Sequence, residues 1–235
     1  MSVSFDFSDD VALVTGASGA LGSSVCEAFA DAGATVCATD VVEPDDEGSA
    51  LDPDVVEFYG GDLTDESEAE SLVASVVDDH GGIDALVNVA GTWQGGSPTE
   101  DTDVGTFDLL FDVNLKTAFL ASKHALPSLQ EREGAIVSVS ARASLEGGEG
   151  DGLYRASKAG IRLLTETIAA ENEGTVRANA VMPSVIDTPA NREMLPDADH
   201  ERWVDPRDIA DVMLFLCSDA ASVTSGAAVP VYGEA

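Results

Sequence analysis

Tyr154 and Lys158 stand four residues apart in the stretch Tyr154-Arg155-Ala156-Ser157-Lys158. Residues 154, 156, 161, 164 and 168 follow a helical apolar period, so both side chains project from one face of a helix and can act on one substrate atom. An ammonium beside a phenol is expected to lower the phenol pKa, because positive charge favours the phenolate, and a lowered phenol exchanges protons near neutrality. Two residue types at one spacing also occur together by chance. The elements that would position them must therefore decide.

A chain of 235 residues, 44% of them hydrophobic, carries ample core for one α/β domain, and with no linker in view the expectation is a single domain, residues 1–235. There are 44 acidic residues against 11 basic ones, a net charge of −33. Disorder accompanies such charge only when hydrophobicity is low, and here the mean hydropathy is +0.06 with regular apolar runs. The chain is read as folded and coated in carboxylates. Lysine is rare, with Lys116, Lys123 and Lys158 alone, and an acidic surface over an ordinary core resembles proteins of salt-in halophiles, which stay hydrated when molar salt screens their repulsion. No basic stripe exists to displace counterions, so neither nucleic acid nor an anionic membrane is expected as a partner.

Cys26, Cys37 and Cys217 are widely spaced within apolar runs, which predicts buried thiols and no metal site. His80, His124 and His200 are isolated. Residues 1–10 lack the basic start and apolar core of a signal peptide, and no apolar run approaches the roughly 20 residues that span a bilayer. A cytoplasmic protein is expected.

Upstream of the Tyr154 helix lies an outline with its own chemistry. Residues 11–15 are a short apolar strand stopping at Gly16; Ala17-Ser18-Gly19-Ala20-Leu21-Gly22 follows, then an amphipathic helix to about residue 31 closed by Gly33, and a strand over 35–39 ending at Asp40. Strand, glycine turn, helix, strand and acidic residue form the outline of a dinucleotide-binding βαβ unit. The glycines let backbone amides and a helix N-terminus approach a pyrophosphate. Asp40, 18 residues past Gly22, can accept hydrogen bonds from the adenosine ribose hydroxyls, whereas a 2′-phosphate would meet its carboxylate with no nearby arginine or lysine. NAD(H) is therefore expected in preference to NADP(H).

The alternation continues, with strands at 55–59, 85–88, 135–139, 176–181 and 228–232. Helices are expected over 66–80 with 67–70 exposed, over 104–129 ending near Pro127, from 154 to about 172, and over 209–216. The reading is a Rossmann-like, doubly wound parallel sheet of about seven strands with helices on both faces.

In order and spacing, Thr15-Gly16-x-x-Gly19-x-x-Gly22, Asp62-Leu63, Asn88-Val89-Ala90-Gly91, Asn114, Tyr154-x-x-x-Lys158 and Asn179-Ala180-Val181-Met182-Pro183 resemble the short-chain dehydrogenase/reductase family. The resemblance runs from about residue 9 to 233. It implies that Asp62 and Leu63 flank the adenine, that Asn88, Ala90 and Gly91 support the cofactor and the central sheet, and that Pro183 and Thr188 lie toward the nicotinamide. It further implies Tyr154 as general acid/base, Lys158 as its partner and ribose contact, and Asn114 as anchor of a proton relay. A homodimer or homotetramer is implied too. Residues 186–192 with Met194, Pro196, Asp199 and Trp203 show a narrower similarity to dihydropteridine reductases.

Family members place a catalytic serine 13 positions before the tyrosine; here that position is Ala141. Ser140 could serve after a one-residue shift, Ser144 could reach in from the loop, or the role could be absent, as in dihydropteridine reductases. In a strand a one-residue shift turns a side chain to the opposite face, which weighs against Ser140. The substrate, a small molecule, is expected between Trp93 and Gln94, residues 142–150 and residues 184–203, where the two tryptophans could be either a stacking platform for a flat ring or lid residues packed on the domain. Carbonyl or alcohol chemistry leads, imine reduction is the alternative, and a silent NAD-binding regulator is disfavoured by retention of Lys158.

Overall fold

The computed structural model describes residues 4–234. Seven parallel strands form one sheet in the order β3-β2-β1-β4-β5-β6-β7. They are β1 Val11–Thr15, β2 Thr35–Thr39, β3 Glu57–Phe58, β4 Ala85–Asn88, β5 Ala135–Val139, β6 Arg177–Pro183 and β7 Ala228–Val231. The expected doubly wound α/β architecture is present. Chain order reverses between β1 and β4, and in open α/β sheets that switch point opens a crevice at the carboxyl ends of the strands.

Alternation along β1 shows why both faces must be covered. Ala12 and Val14 enter one apolar cluster with Val25 and Phe29 of α1 (Ala20–Asp31) and with Ile209 and Met213 of α7 (Pro206–Cys217). Val11 and Leu13 enter the other, with Leu72 and Val76 of α2 (Glu66–His80), Leu120 and Leu129 of α4 (Thr117–Arg132), and Ile168 of α5 (Gly152–Glu171). Each such fully buried side chain contributes about 2 kcal/mol from desolvation. Cys26, Cys37 and Cys217 are buried thiols within these layers, and burial pushes each up to about 12.

Four local expectations need correction. The 55–59 strand is only Glu57–Phe58, because Pro53 and the Asp52 carboxylate, which accepts from the Asp54 amide, set a 3-10 turn at Pro53–Val55. Within 67–70, Ala69 is buried on the inward face of α2. The single helix expected over 104–129 is α3 (Val104–Leu110), a π-helical turn at Phe111–Lys116, and then α4. α4 also runs past Pro127 to Arg132, with the proline exposed on the helix surface.

Candidate functional site

A cavity of about 1270 Å³ opens at the carboxyl ends of the strands, and both chemistry-bearing stretches of the sequence meet in it. Gly16 has φ 67°, and a Cβ there would lie 2.6 Å from the Ala90 backbone. A Cβ on Gly22 would lie 2.0 Å from the Gly16 carbonyl oxygen. The glycines thus let the first turn of α1 press against the β1 and β4 ends. That turn carries no acidic residue and no side-chain cap, so its positive end faces the cavity uncompensated. Gly19, Ala20, Leu21 and Gly22 all line it.

Asp40 follows β2 and lines the cavity. Its carboxylate accepts from the Ser18 amide at 3.0 Å, the Val41 amide at 2.7 Å and the Val42 amide at 3.1 Å. The acid is anchored in place by backbone. Ser18 itself lies behind the wall, its hydroxyl donating to the Val42 carbonyl at 2.6 Å. Asp62 and Leu63 line the same end, as do Ala90 and Gly91 at the other. Asn88 is off the wall; its Nδ2 donates to the Ser122 and Ser138 hydroxyls, each at 3.2 Å, and ties β4 to β5 and α4.

α5 presents both Tyr154 and Lys158 to the cavity, the first half-buried and the second buried. Lys158 Nζ donates to the Val139 carbonyl at 3.0 Å, and burial holds its pKa down to about 8. Burial pushes Tyr154 up to about 12, with the negative charge of Asp151 adding and Arg155 opposing. The expected lowering of the phenol is therefore corrected: the ammonium is turned to the end of β5, and desolvation of the ring dominates.

The π-helical turn carries Asn114, which is fully buried. Asn114 Oδ1 accepts from the Thr92 amide at 2.7 Å, and Nδ2 donates to the Ser157 hydroxyl at 3.0 Å. Ser157 in turn donates to the Tyr154 carbonyl at 2.8 Å. A Cβ on Gly91 would lie 2.9 Å from Lys158 Nζ and 3.0 Å from Asn114 Oδ1. Gly91, Asn114 and Lys158 are therefore one crowded polar cluster beneath Tyr154. A π turn inserts one extra residue into a helix and re-aims side chains, which here points Asn114 inward.

The serines part ways. Ala141 is on the cavity wall. Ser140 is on it as well, but its hydroxyl donates to the Lys158 carbonyl at 2.8 Å and thereby holds α5 to β5. Ser144 is not brought to the cavity: its hydroxyl faces Met182 Sδ at 3.9 Å. Thr188 is also off the wall, serving as N-cap of α6 (Pro189–Met194) by accepting from the Asn191 amide at 3.2 Å, while Pro183 is on it. The tryptophan platform is halved, because Trp93 lines the cavity and Trp203 packs on His200 at 4.4 Å in a separate hollow. Arg142 and Asn191 fall within the expected 142–150 and 184–203 walls, whereas sequence reasoning missed Arg155 and Asp112 on the substrate side. Arg155 had a signal, one position past Tyr154 in a chain poor in basic residues. Among the described residues no group of three or more His, Cys, Asp or Glu could hold a metal ion.

Residues 16–233 match the family model described as enoyl-(acyl carrier protein) reductase. The chain is 34% identical over 239 residues to a 3-oxoacyl-[acyl-carrier-protein] reductase of Thermotoga maritima, covering 95% of this chain and 96% of that one. It is 33% identical to (+)-borneol dehydrogenase 2 of Salvia officinalis, covering 95% of this chain and 88% of the relative. A Brucella melitensis crystal structure described as a short-chain dehydrogenase/reductase, glucose/ribitol dehydrogenase, superposes with a TM-score of 0.89 at 31% identity, covering 98% of both chains.

Proposed function

The chain belongs to the short-chain dehydrogenase/reductase family of nicotinamide-dependent oxidoreductases, and from that premise we propose that it is an NAD(H)-dependent enzyme acting on a small carbonyl or alcohol substrate. The observation that carries this reading is one cavity lined by the glycine turn, Asp40, Tyr154 and Lys158. The nicotinamide supplies the site that gives or takes the hydride. Gly16, Gly19, Ala20, Leu21 and Gly22 would hold the pyrophosphate, and Asp62, Leu63, Ala90, Gly91 and Pro183 the flanking groups. Tyr154 exchanges the proton on the substrate oxygen, and Lys158 and Asn114 form the buried polar cluster with Gly91.

Asp40 supports NAD over NADP. Its carboxylate is fixed by three amides, so it cannot swing aside from a 2′-phosphate, and no arginine or lysine shares that end of the cavity. Ala141 favours a second reading, reduction of a pterin-like or other imine, because that wall position offers a methyl where the family pattern expects a hydroxyl. A free small molecule is preferred to an acidic carrier protein, since the net charge is −33 and the 146–151 loop at the mouth is acidic.

The chain is read as one dinucleotide-binding domain of a halophile's cytoplasm. Exposed Phe107, Phe119 and Leu163 on α3, α4 and α5 support pairing into a homodimer or tetramer. No helix of the described residues is long and apolar enough to cross a membrane. The test is a panel of cyclic and sugar alcohols, their ketones, and quinonoid dihydropterin, assayed with NAD(H) and NADP(H) at molar KCl. Turnover of alcohols or ketones with NAD(H) supports the first reading and turnover of the dihydropterin alone the second. A preference for NADP(H) would overturn the role of Asp40, and no turnover with any compound counts against both readings.

A further inference from the structure

We infer that Arg155 is a positioning residue whose guanidinium clasps the 143–151 loop to α5 and so fixes the substrate-side wall beside Tyr154; the substrate's place there rests on the function proposed above. The loop runs from the end of β5 to the start of α5, and its Ala143, Glu146 and Asp151 line the cavity.

One side chain holds this loop at four points. Arg155 Nε donates to Asp151 Oδ1 at 2.6 Å, and its Nη1 is shared between the Glu146 carbonyl at 3.2 Å and the Ala143 carbonyl at 3.4 Å. The flat of the guanidinium lies against Gly148, where a Cβ would sit 2.2 Å from Cζ and 2.3 Å from Nε. Gly148 does not have a positive φ, so the guanidinium is what excludes a side chain there. Asp151 occupies the N-cap position of α5 yet caps no amide with its carboxylate, which Arg155 takes instead. Both partners of this pair are mostly shielded, at 23% and 19% exposure, which strengthens a charge-assisted bond over an open surface pair.

The clasp extends across the cavity mouth. The Gly96 amide donates to the Gly150 carbonyl at 2.8 Å, and a Cβ on Gly95 would lie 3.0 Å from both that oxygen and the Trp93 ring. The loop held by Arg155 is thus the seat for the Trp93 segment on the opposite wall. A lysine at 155 keeps the charge and can reach Asp151, but it lacks the planar fork that feeds two carbonyls while lying flat on Gly148.

Hydrogen exchange read by mass spectrometry on the whole protein, free and with NADH, tests this without needing a substrate. In Arg155→Met the amides of 143–151 should exchange roughly tenfold faster, with 11–40 unchanged, because the local opening loses its polar anchors. Arg155→Lys should fall between. Gly148→Ala, which displaces the guanidinium by a different route, should reproduce the effect and add nothing in the Arg155→Met background. For the alcohol turned over fastest in the panel above, KM should rise severalfold with kcat changed less than about threefold. Unchanged exchange over 143–151 in Arg155→Met, or additive effects of the two substitutions, would overturn the clasp. Faster exchange with an unaltered KM would overturn its link to substrate. Faster exchange in a protein that turns over nothing would leave the clasp standing and count against the enzyme reading instead.

Discussion

On the cofactor side of the cavity, backbone excludes even one added methyl group at Gly16 and Gly22; on the substrate side, shape depends on a few side-chain contacts. Gly16 and Gly22 are pinned against the Ala90 and Gly16 backbones, and Asp40 is held by three amides within its own βαβ unit. The substrate wall depends instead on Arg155 across the 143–151 loop, on Ser184 Oγ donating to the Tyr232 carbonyl at 2.7 Å, and on Asn191 Nδ2 donating to the Ile186 carbonyl at 2.8 Å. A site for an invariant ligand can be made of backbone. A site whose ligand varies between relatives is built where single side chains can change the walls without disturbing the sheet.

The contrast can be broken most severely at Gly22. Gly22→Ala places a methyl 2.0 Å from a carbonyl oxygen, so we expect a loss of about 3 kcal/mol or more, read as a lowered denaturation midpoint, together with lost NADH binding. Lys158 joins the two sides and comes next. Its folded pKa of about 8 lies below the ordinary 10.5, so the unfolded chain binds more protons between those values and stability rises with pH across that window. Buried thiols and phenols oppose this at high pH, but they cancel in the difference between wild type and Lys158→Met. That difference should shift toward wild type by on the order of 3 kcal/mol between pH 8 and pH 10.5. A flat difference would show that the ammonium is not desolvated.

A smaller effect is expected at Asp40. Asp40→Asn keeps one acceptor oxygen but loses the charge, and KM for NAD should rise about tenfold while discrimination against NADP narrows. An unchanged cofactor ratio would remove the carboxylate from the selection. The smallest is on the substrate loop: Gly147 has open space where a Cβ would go, so Gly147→Ala should alter stability by less than about 0.5 kcal/mol, against the large loss at Gly22. Comparable losses at 22 and 147 would erase the distinction.

The same distinction explains what could be read from the sequence. The βαβ unit and the seven strands were legible from local periodicity, glycine placement and the order of elements, and the meeting of Tyr154, Lys158 and Asp40 in one cavity was implied by the family resemblance. The π turn at Phe111–Lys116 was not legible, since residues 104–129 read as one continuous helix. Nor were the fates of the serines. Ser140 and Ser144 differ only in whether their hydroxyls meet a carbonyl of α5 or the sulfur of Met182, and both partners come from distant elements. The rise in the Tyr154 pKa escaped notice because spacing reveals a neighbouring charge but not the degree of burial around a ring.

Tyr154→Phe tests the central claim most directly, with turnover of the best substrate and NADH affinity measured on the same preparation. The proton role predicts a fall in kcat of roughly 10²- to 10⁴-fold with NADH affinity within about twofold of wild type. Retained turnover would contradict it.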